Sequence, residues 1–177
     1  MNREISIFKN PAIIGYLIKK MSEVYHGKQI GKTIVQKLIF LLVEKKVFYF
    51  RYSMFHYGPF SSEVAGELDY AGNLDIVDIT WKYNEGYFIF PTKNIDHFEY
   101  LLTENEKKQI DQVVKNYGAL SAVELSILAT SIFLKTHFNT PEKALPQVVH
   151  NIKPKYTLEF IENIIKNHIH KSKSVDH

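Results

Sequence analysis

Two segments set the architecture of this chain: GKTIVQKLIFLL at residues 31–42 and HYGPFSSEVAGELDYAG at residues 56–72. In the first segment, apolar residues recur at the i, i+4, i+7, i+8 spacing that places them on one face of a helix. That face consists of Ile34, Leu38, Leu41 and Leu42. The pattern predicts a core-facing helix over residues 32–43.

The second segment predicts another helix, beginning after Gly58-Pro59. Ser61 or Ser62 can cap its first amides, and Glu63 lies in the first turn, where the helix dipole favours an anion. The buried stripe is expected at Val64, Leu68 and Ala71. Together the two segments indicate helix, turn, helix, which is the shape of a DNA-binding element.

The outward face of this second helix has the wrong charge for DNA. Its residues are expected to be Ser62, Glu63, Gly66, Glu67, Asp69 and Tyr70. A recognition helix in the major groove presents Arg, Lys, Asn or Gln to base edges, and three carboxylates would repel the flanking phosphates. The shape therefore indicates one function and the surface another.

Composition restricts the class of protein more than its activity. With 177 residues, 45% of them hydrophobic, the chain can bury one core. The absence of Cys excludes a disulfide framework, Cys-based zinc sites and thiol catalysis, and it fits a reducing compartment. We therefore expect a cytoplasmic protein.

The apolar run PAIIGYLI at residues 11–18 is too short to cross a membrane and is followed at once by Lys19 and Lys20. It also lacks the cleavage site of a signal peptide. We interpret it as the start of a helix, with Asn10 as the cap and Pro11 at the first helical position. No membrane partner is expected.

The net charge of +3 hides an asymmetry along the chain. Residues 1–60 carry a net +7, residues 61–111 a net −7 and residues 112–177 a net +3. Lysines of the basic part, and one in the later hairpin, could face phosphates: Lys28, Lys32, Lys37 and Lys82. Only two of the 22 cations are Arg, the residue best suited to phosphate and base recognition. A solvated lysine-rich helix face is the simpler interpretation.

Two β-rich runs at residues 74–81 and 87–91 flank the turn residues 82–86 and predict a β-hairpin, the wing of a winged helix. After residue 100 the chain is predicted to be helical, with capping boxes at 103–106 and 121–124. The predicted class is α+β, mainly helical. A winged-helix-like domain at residues 1–100 is followed by a helical extension at residues 101–177 that packs on it.

Motifs of catalysis are not found. The sequence contains no HExxH, GxSxG or GxGxxG. A phosphate-binding loop needs four residues between its glycines, and Gly27 and Gly31 enclose three. We therefore predict a non-enzyme with no cofactor, no metal and no catalytic residue.

Three stretches carry a resemblance to a known family. The helix KTIVQKL at residues 32–38 resembles the Leu-Gln-Lys-Leu helix of the SocA-like antitoxins, also called the Panacea domain family. The stretch YGPFSSEV at residues 57–64 resembles the Tyr-Gly-Pro turn that follows it, and is closer still to the YwgA-like relatives. The segment IKPKY at residues 152–156 also resembles that branch. The sequence departs from the antitoxin pattern in having Val35 where Leu is usual.

The resemblance implies a protein that neutralises a toxin by direct contact, or delivers it to a protease. We therefore expect a non-catalytic protein-interaction module, antitoxin-like or an adaptor. Its partner surface is predicted at Tyr57, Phe60, Ser62, Glu63, Glu67 and Tyr70. A homodimer in which the acidic helix meets the basic region of a second copy is a further expectation. The alternative is a winged-helix transcriptional regulator that binds DNA through Lys28, Lys32, Lys37 and Lys82.

Overall fold

Helices make up most of the chain, and two small antiparallel hairpins complete it, which confirms the expected mainly helical α+β class. The computed structural model describes residues 3–170, so the ends of the predicted ranges, at residues 1–2 and 171–177, lie outside the described residues. The helices are α1 (Arg3–Val24), α2 (Lys32–Glu44), α3 (Ser62–Asn73), α4 (Glu104–Tyr117), α5 (Ala122–His137), α6 (Leu145–Ile152) and α7 (Leu158–Ile165). The strands are β1 (Ser53–Phe55), β2 (Gly58–Phe60), β3 (Val77–Lys82) and β4 (Gly86–Pro91). Short 3-10 turns lie at Lys93–His97, Glu99–Leu101 and Glu142–Ala144, and a π turn lies at Lys166–His170.

Helix α2 is the centre of the main core. All of its residues from Ile34 to Leu42 are buried, because α1, α3, α4 and α5 all pack against it. The predicted apolar face of this helix is thereby confirmed. Val113 of α4 and Leu125 of α5 belong to the same cluster as α2, so this core continues across residue 100. A second cluster joins α5, α6 and α7.

Helix α1 corrects one prediction. It begins at Arg3 and passes through Pro11, whereas the sequence pattern predicts a start at Pro11 with Asn10 as cap. The Asn10 side chain instead donates a hydrogen bond to the Glu67 carboxylate at 3.1 Å. A proline inside a helix removes one backbone hydrogen bond and costs about 3 kcal/mol.

Tertiary contacts hold the part of α1 that precedes the proline. The Phe8 ring lies 6.5 Å from the Tyr70 ring and 6.0 Å from the Phe98 ring, measured between centroids. The Lys9 ammonium lies 2.7 Å from the Glu106 carboxylate, and both side chains are largely buried. These contacts come from elements far along the chain, so local signals could not reveal them.

The predicted caps of α3, α4 and α5, by contrast, are confirmed. Ser61 caps α3 by accepting a hydrogen bond from the Val64 amide. Both predicted capping boxes are present, at the starts of α4 and α5. Gly118 ends α4 as expected, and Pro146 lies in the first turn of α6, where its missing amide hydrogen has no helical partner to lose.

The two hairpins stand on either side of α3 in the sequence. Strands β1 and β2 pair from Ser53 opposite Phe60 to Phe55 opposite Gly58, so the turn is His56-Tyr57. Strands β3 and β4 pair from Val77 opposite Pro91 to Lys82 opposite Gly86. The predicted second hairpin is therefore confirmed as a structure.

The winged-helix interpretation remains a prediction. Helices α2 and α3 are separated by residues 45–61, and this segment contains the first hairpin. A helix-turn-helix joins its two helices by a turn of three or four residues. The second hairpin does follow α3, as a wing would.

The first hairpin turn is fixed against α5. Gly58 has φ of +91°, and a Cβ at this position would lie 2.5 Å from the Thr130 hydroxyl oxygen and 3.2 Å from the Ser126 carbonyl oxygen. A side chain is therefore excluded both by the backbone conformation and by the space. Only glycine allows this turn to approach the helix so closely.

We predict that Gly58→Ala lowers the free energy of unfolding by about 2–4 kcal/mol, because it combines left-handed strain with a clash against the Thr130 hydroxyl. Urea denaturation followed by circular dichroism measures this change. Gly66→Ala is the matched control, since Gly66 lies inside α3 with open space around its Cα. The control should raise stability by about 0.5–1 kcal/mol, and an equal response of the two variants would contradict the prediction.

Candidate functional site

The predicted partner surface is divided by the structure. Tyr57 is 77% exposed at the turn of the first hairpin, and Ser62 and Glu63 are also exposed. Phe60 is half-buried and packs edge-on against Phe55, with ring centroids 5.4 Å apart. These residues form the accessible part of the predicted surface.

The outward position predicted for Glu67 and Tyr70 is wrong. Both are half-buried against α1: Glu67 accepts the hydrogen bond from Asn10, and Tyr70 stacks on Phe8. The reason is the extension of α1 before Pro11, which covers one flank of α3. The acidic face of α3 is therefore exposed only in part.

The remaining acidic groups of α3 have internal partners. The Glu63 carboxylate accepts a hydrogen bond from the Arg51 backbone amide at 3.0 Å, and its other oxygen lies 3.8 Å from the Arg51 guanidinium. Asp69 pairs with Lys32 at 3.2 Å. Exposed pairs of this kind contribute at most about 1 kcal/mol each, so they order the surface more than they stabilise the fold.

The lysines proposed for nucleic acid are also engaged within the chain. The Lys28 ammonium donates to the carbonyl oxygens of Gly118 and Leu120, beyond the end of α4. Lys32 pairs with Asp69 and lies 4.5 Å from the centre of the Tyr87 ring. Lys82 is exposed and lies 4.4 Å from the centre of the Phe88 ring.

Lys37 is unavailable to a phosphate backbone, which corrects its predicted role. The side chain is 2% exposed and its ammonium donates to the Pro59 carbonyl oxygen at 2.6 Å. Its position follows from α2 being surrounded by other helices, so that even a lysine on this helix is buried. The ammonium lies beneath the first hairpin turn.

A group of buried polar side chains holds that turn, and the sequence analysis did not find it. Besides Lys37, the Lys153 ammonium donates to the His56 carbonyl oxygen at 3.3 Å and to the Ser126 hydroxyl at 3.1 Å. Ser126 in turn donates to the Tyr57 carbonyl oxygen at 2.5 Å. Three carbonyl groups of the first hairpin, those of His56, Tyr57 and Pro59, are thus bound by side chains of α2, α5 and the segment after α6.

Gln36 holds Ser61, the residue after strand β2, in the same way. Its amide accepts from the Ser61 backbone N–H at 3.1 Å and donates to the Ser61 carbonyl oxygen at 2.8 Å. The turn and the start of α3 are therefore anchored by side chains on both sides. The only sequence signals were the motifs at residues 32–38 and 152–156, which gave no indication that they meet.

Neither buried lysine has a counterion within the described part of the chain: among residues 7–169, Lys37 and Lys153 form no ion pair. Burial lowers the pKa of Lys37 to about 8, and the neighbouring Lys153 charge acts in the same direction. Burial also lowers the pKa of Lys153. Two positive charges are thus held in a poorly solvated place by neutral oxygens alone, an arrangement that disfavours the charged form.

Two cavities flank the His56-Tyr57 turn. One, of about 360 Å³, is bordered by Lys37, Phe55 and Phe60. The other, of about 420 Å³, is bordered by Lys153 and the segment that follows it. Thr33, His56 and Tyr57 line both, and no Asp or Glu is among the described residues that line either.

A third cavity, of about 570 Å³, lies on the other side of the start of α2. It is bordered by Lys32 and Thr33 on one side and by Gly86 and Tyr87 of the second hairpin on the other. The first turn of α2 therefore lies between the cavities beside the two hairpins.

Comparisons with known proteins add no identity: no family model matches the chain, and no curated protein matches it. The resemblance to the SocA-like antitoxins therefore stays a prediction. Among the described residues, no group of three or more His, Cys, Asp or Glu side chains could hold a metal ion. In the same part of the chain no single helix is long and apolar enough to cross a membrane; α4 and α5 pass that test only as a pair bent by 114°.

We predict that the stability conferred through Lys37 depends on pH. The folded-state pKa of about 8 lies below the ordinary value of 10.5, so the unfolded chain binds more protons between these values and stability rises with pH. Below pH 8 the buried ammonium lowers the free energy of unfolding by its full amount. This loss of stability disappears as the pH rises to about 10.5. The whole effect is at most about 3 kcal/mol.

The free energy of unfolding of the native chain, minus that of Lys37→Met, should therefore increase from pH 7.5 to 10.5. Chemical denaturation at several pH values measures this difference. Lys45→Met removes a cation from an exposed position at the end of the same helix and controls for net charge. If the difference in the free energy of unfolding stays constant from pH 7.5 to 10.5, the pKa of Lys37 is not lowered by burial.

Proposed function

We propose that this chain is a non-catalytic, cytoplasmic protein-interaction module, antitoxin-like or an adaptor, which neutralises or delivers a partner protein by direct binding. The observation that carries the proposal is the first hairpin. Phe55 is 57% exposed and Tyr57 is 77% exposed on a turn that buried side chains hold in one conformation. Exposed aromatic groups on a rigid support are typical of binding surfaces.

Rigidity is the feature that separates this turn from an ordinary exposed loop. An interface loses affinity when binding must first order its side chains and loops. Here Gly58 is packed against α5, and the Lys37, Ser126 and Lys153 side chains bind the turn from below. The turn is therefore already ordered when a partner binds. No binding energy is lost in ordering it.

The second hairpin adds a further aromatic group on the other side of α2. Trp81 is 56% exposed and Tyr83 is 78% exposed, with ring centroids 6.2 Å apart. Lys32 and Thr33 border the cavities beside both hairpins, so the start of α2 lies between these two cavities. A partner that contacts both tips would cover the start of α2.

The alternative function, a winged-helix regulator, has weaker support in the arrangement of charges. Lys37 is buried, and Lys28 and Lys32 are bound to carbonyl groups and to Asp69. Phosphate contacts supply most of the affinity of DNA-binding proteins and depend on free cations. Lys82 remains exposed on the second hairpin.

Tyr57→Ser should abolish most of the capture of the natural partner from a lysate of the source cells, while circular dichroism stays unchanged. Loss of one central aromatic contact typically reduces affinity about 30-fold or more. Quantitative mass spectrometry of proteins retained by the tagged chain gives the measurement. Tyr100→Ser is the control, because Tyr100 is 75% exposed but belongs to neither hairpin.

Equal capture by the two variants would move the binding surface away from the first hairpin. The double variant Glu63→Lys with Glu67→Lys tests the acidic helix separately, and weaker capture would include α3 in the surface. Affinity for a mixed-sequence DNA duplex, measured by fluorescence anisotropy from low to physiological salt, tests the alternative. Tight binding with a steep salt dependence would favour the regulator over the interaction module.

A further inference from the structure

The two cavities beside the first hairpin combine aromatic walls with lysine side chains and have no acidic lining residue among those described. Their walls near the turn are aromatic: Phe55, Tyr57 and Phe60 on one side, and Tyr156 on the other. Yet each cavity is bordered by lysines, and none of the described lining residues is a carboxylate. Of these lysines, Lys32 pairs with Asp69, whereas Lys37 and Lys153 have no carboxylate partner among the described residues. Apolar walls beside such cations favour a ligand that combines an apolar group with an oxyanion.

The cations are of two kinds. Lys37 and Lys153 are 2% and 7% exposed and donate only to carbonyl and hydroxyl oxygens. Lys32 borders the same cavity as Lys37, and the exposed Lys155 borders the same cavity as Lys153. A ligand carboxylate in the second cavity would therefore meet one buried and one exposed lysine. In the first cavity Lys37 is the lysine without a carboxylate partner, because Lys32 pairs with Asp69.

We propose that the first hairpin binds an acidic segment of a partner protein, whose carboxylates enter the cavities beside Lys37 and Lys153 while its apolar side chains pack on Phe55, Tyr57 and Phe60. This inference rests on the proposed function and names the chemistry of its partner. An entering carboxylate supplies the counterion that the two buried ammonium groups lack. Charge-assisted hydrogen bonds of this kind are stronger than those between neutral groups.

An acidic peptide fits this site better than nucleic acid does. Lys37 borders a cavity, yet its side chain is almost inaccessible from outside. A duplex presents its phosphates on a broad convex surface, whereas a carboxylate on a flexible side chain can enter a cavity of about 360 Å³. The aromatic walls also provide area for the apolar side chains of a peptide.

The test uses two capped peptides, acetyl-Glu-Phe-Glu-Phe-Glu-amide and the same peptide with Gln in place of Glu. Isothermal titration calorimetry with the full chain should show binding of the Glu peptide and affinity lower by roughly tenfold or more for the Gln peptide. Lys155→Glu should weaken the Glu peptide by a similar factor, because Lys155 is exposed and its replacement leaves the core intact. Lys115→Glu is the matched control on the exposed face of α4 and should bind as the native chain does.

A second readout identifies the buried ammonium. Because the pKa of Lys37 is about 8, a carboxylate beside it should draw in a proton at pH 8.5, up to roughly 0.7 per peptide bound. The difference in binding enthalpy between triethanolamine and Tris buffers, which differ in ionisation enthalpy and carry no oxyanion, measures this uptake. Lys37→Met should abolish it; if that variant does not fold, the pH dependence of uptake by the native chain still tests the assignment.

The outcomes separate this inference from the proposed function. Equal binding of the Glu and Gln peptides, or binding without proton uptake, overturns the acidic partner, while loss of natural-partner capture by Tyr57→Ser would leave the interaction module standing. Competition by millimolar inorganic phosphate would show a site for a free oxyanion and overturn the peptide. Competition by a DNA duplex that is lost in Lys155→Glu would show nucleic acid instead. Failure of both the peptide and the Tyr57→Ser experiment would reject the first hairpin as the binding surface as well.

Discussion

The hydrogen bond from the Lys37 ammonium to the Pro59 carbonyl oxygen is the contact that ties the first hairpin to the core. It joins the central helix of the core to the turn that carries the exposed aromatic groups. A buried charge without a counterion is costly, and most cores replace such a lysine with an apolar residue. Here the retained lysine helps to hold the first hairpin, together with Ser126 and Lys153, and it borders one of the adjoining cavities.

Several opposite charges from distant parts of the sequence are paired within the fold. The acidic middle of the sequence meets the basic first part through Lys19 with Asp96 and Glu99, Lys32 with Asp69, and Lys9 with Glu106. The charge asymmetry seen along the sequence therefore serves, in good part, to join segments that are distant in the chain. The charged side chains that are buried among the described residues, Lys37 and Lys153, lie beside the first hairpin, where they meet only neutral oxygens.

Local patterns predicted much of the fold, and contacts between distant residues account for what they missed. The apolar spacing of α2, the Ser61 cap and both capping boxes depend on neighbours within a few residues, so the sequence reveals them. The helix before Pro11 depends on Phe98 and Glu106, and the half-burial of Glu67 follows from it. The site itself joins Lys37 to Ser126 and Lys153, residues that periodicity treats as an exposed helix face, a helix interior and a loop.

The attachment of the first hairpin turn also sets an order of assembly. Its His56 and Tyr57 carbonyl groups are bound by Lys153 and Ser126, which lie 97 and 69 positions further along the chain. Contacts of such large sequence separation close long loops and form late. The aromatic tip therefore reaches its final conformation only when α5 and the segment after α6 have docked. A partner that recognises the tip would distinguish finished molecules from incomplete ones, and its binding would in turn hold the C-terminal helices in place.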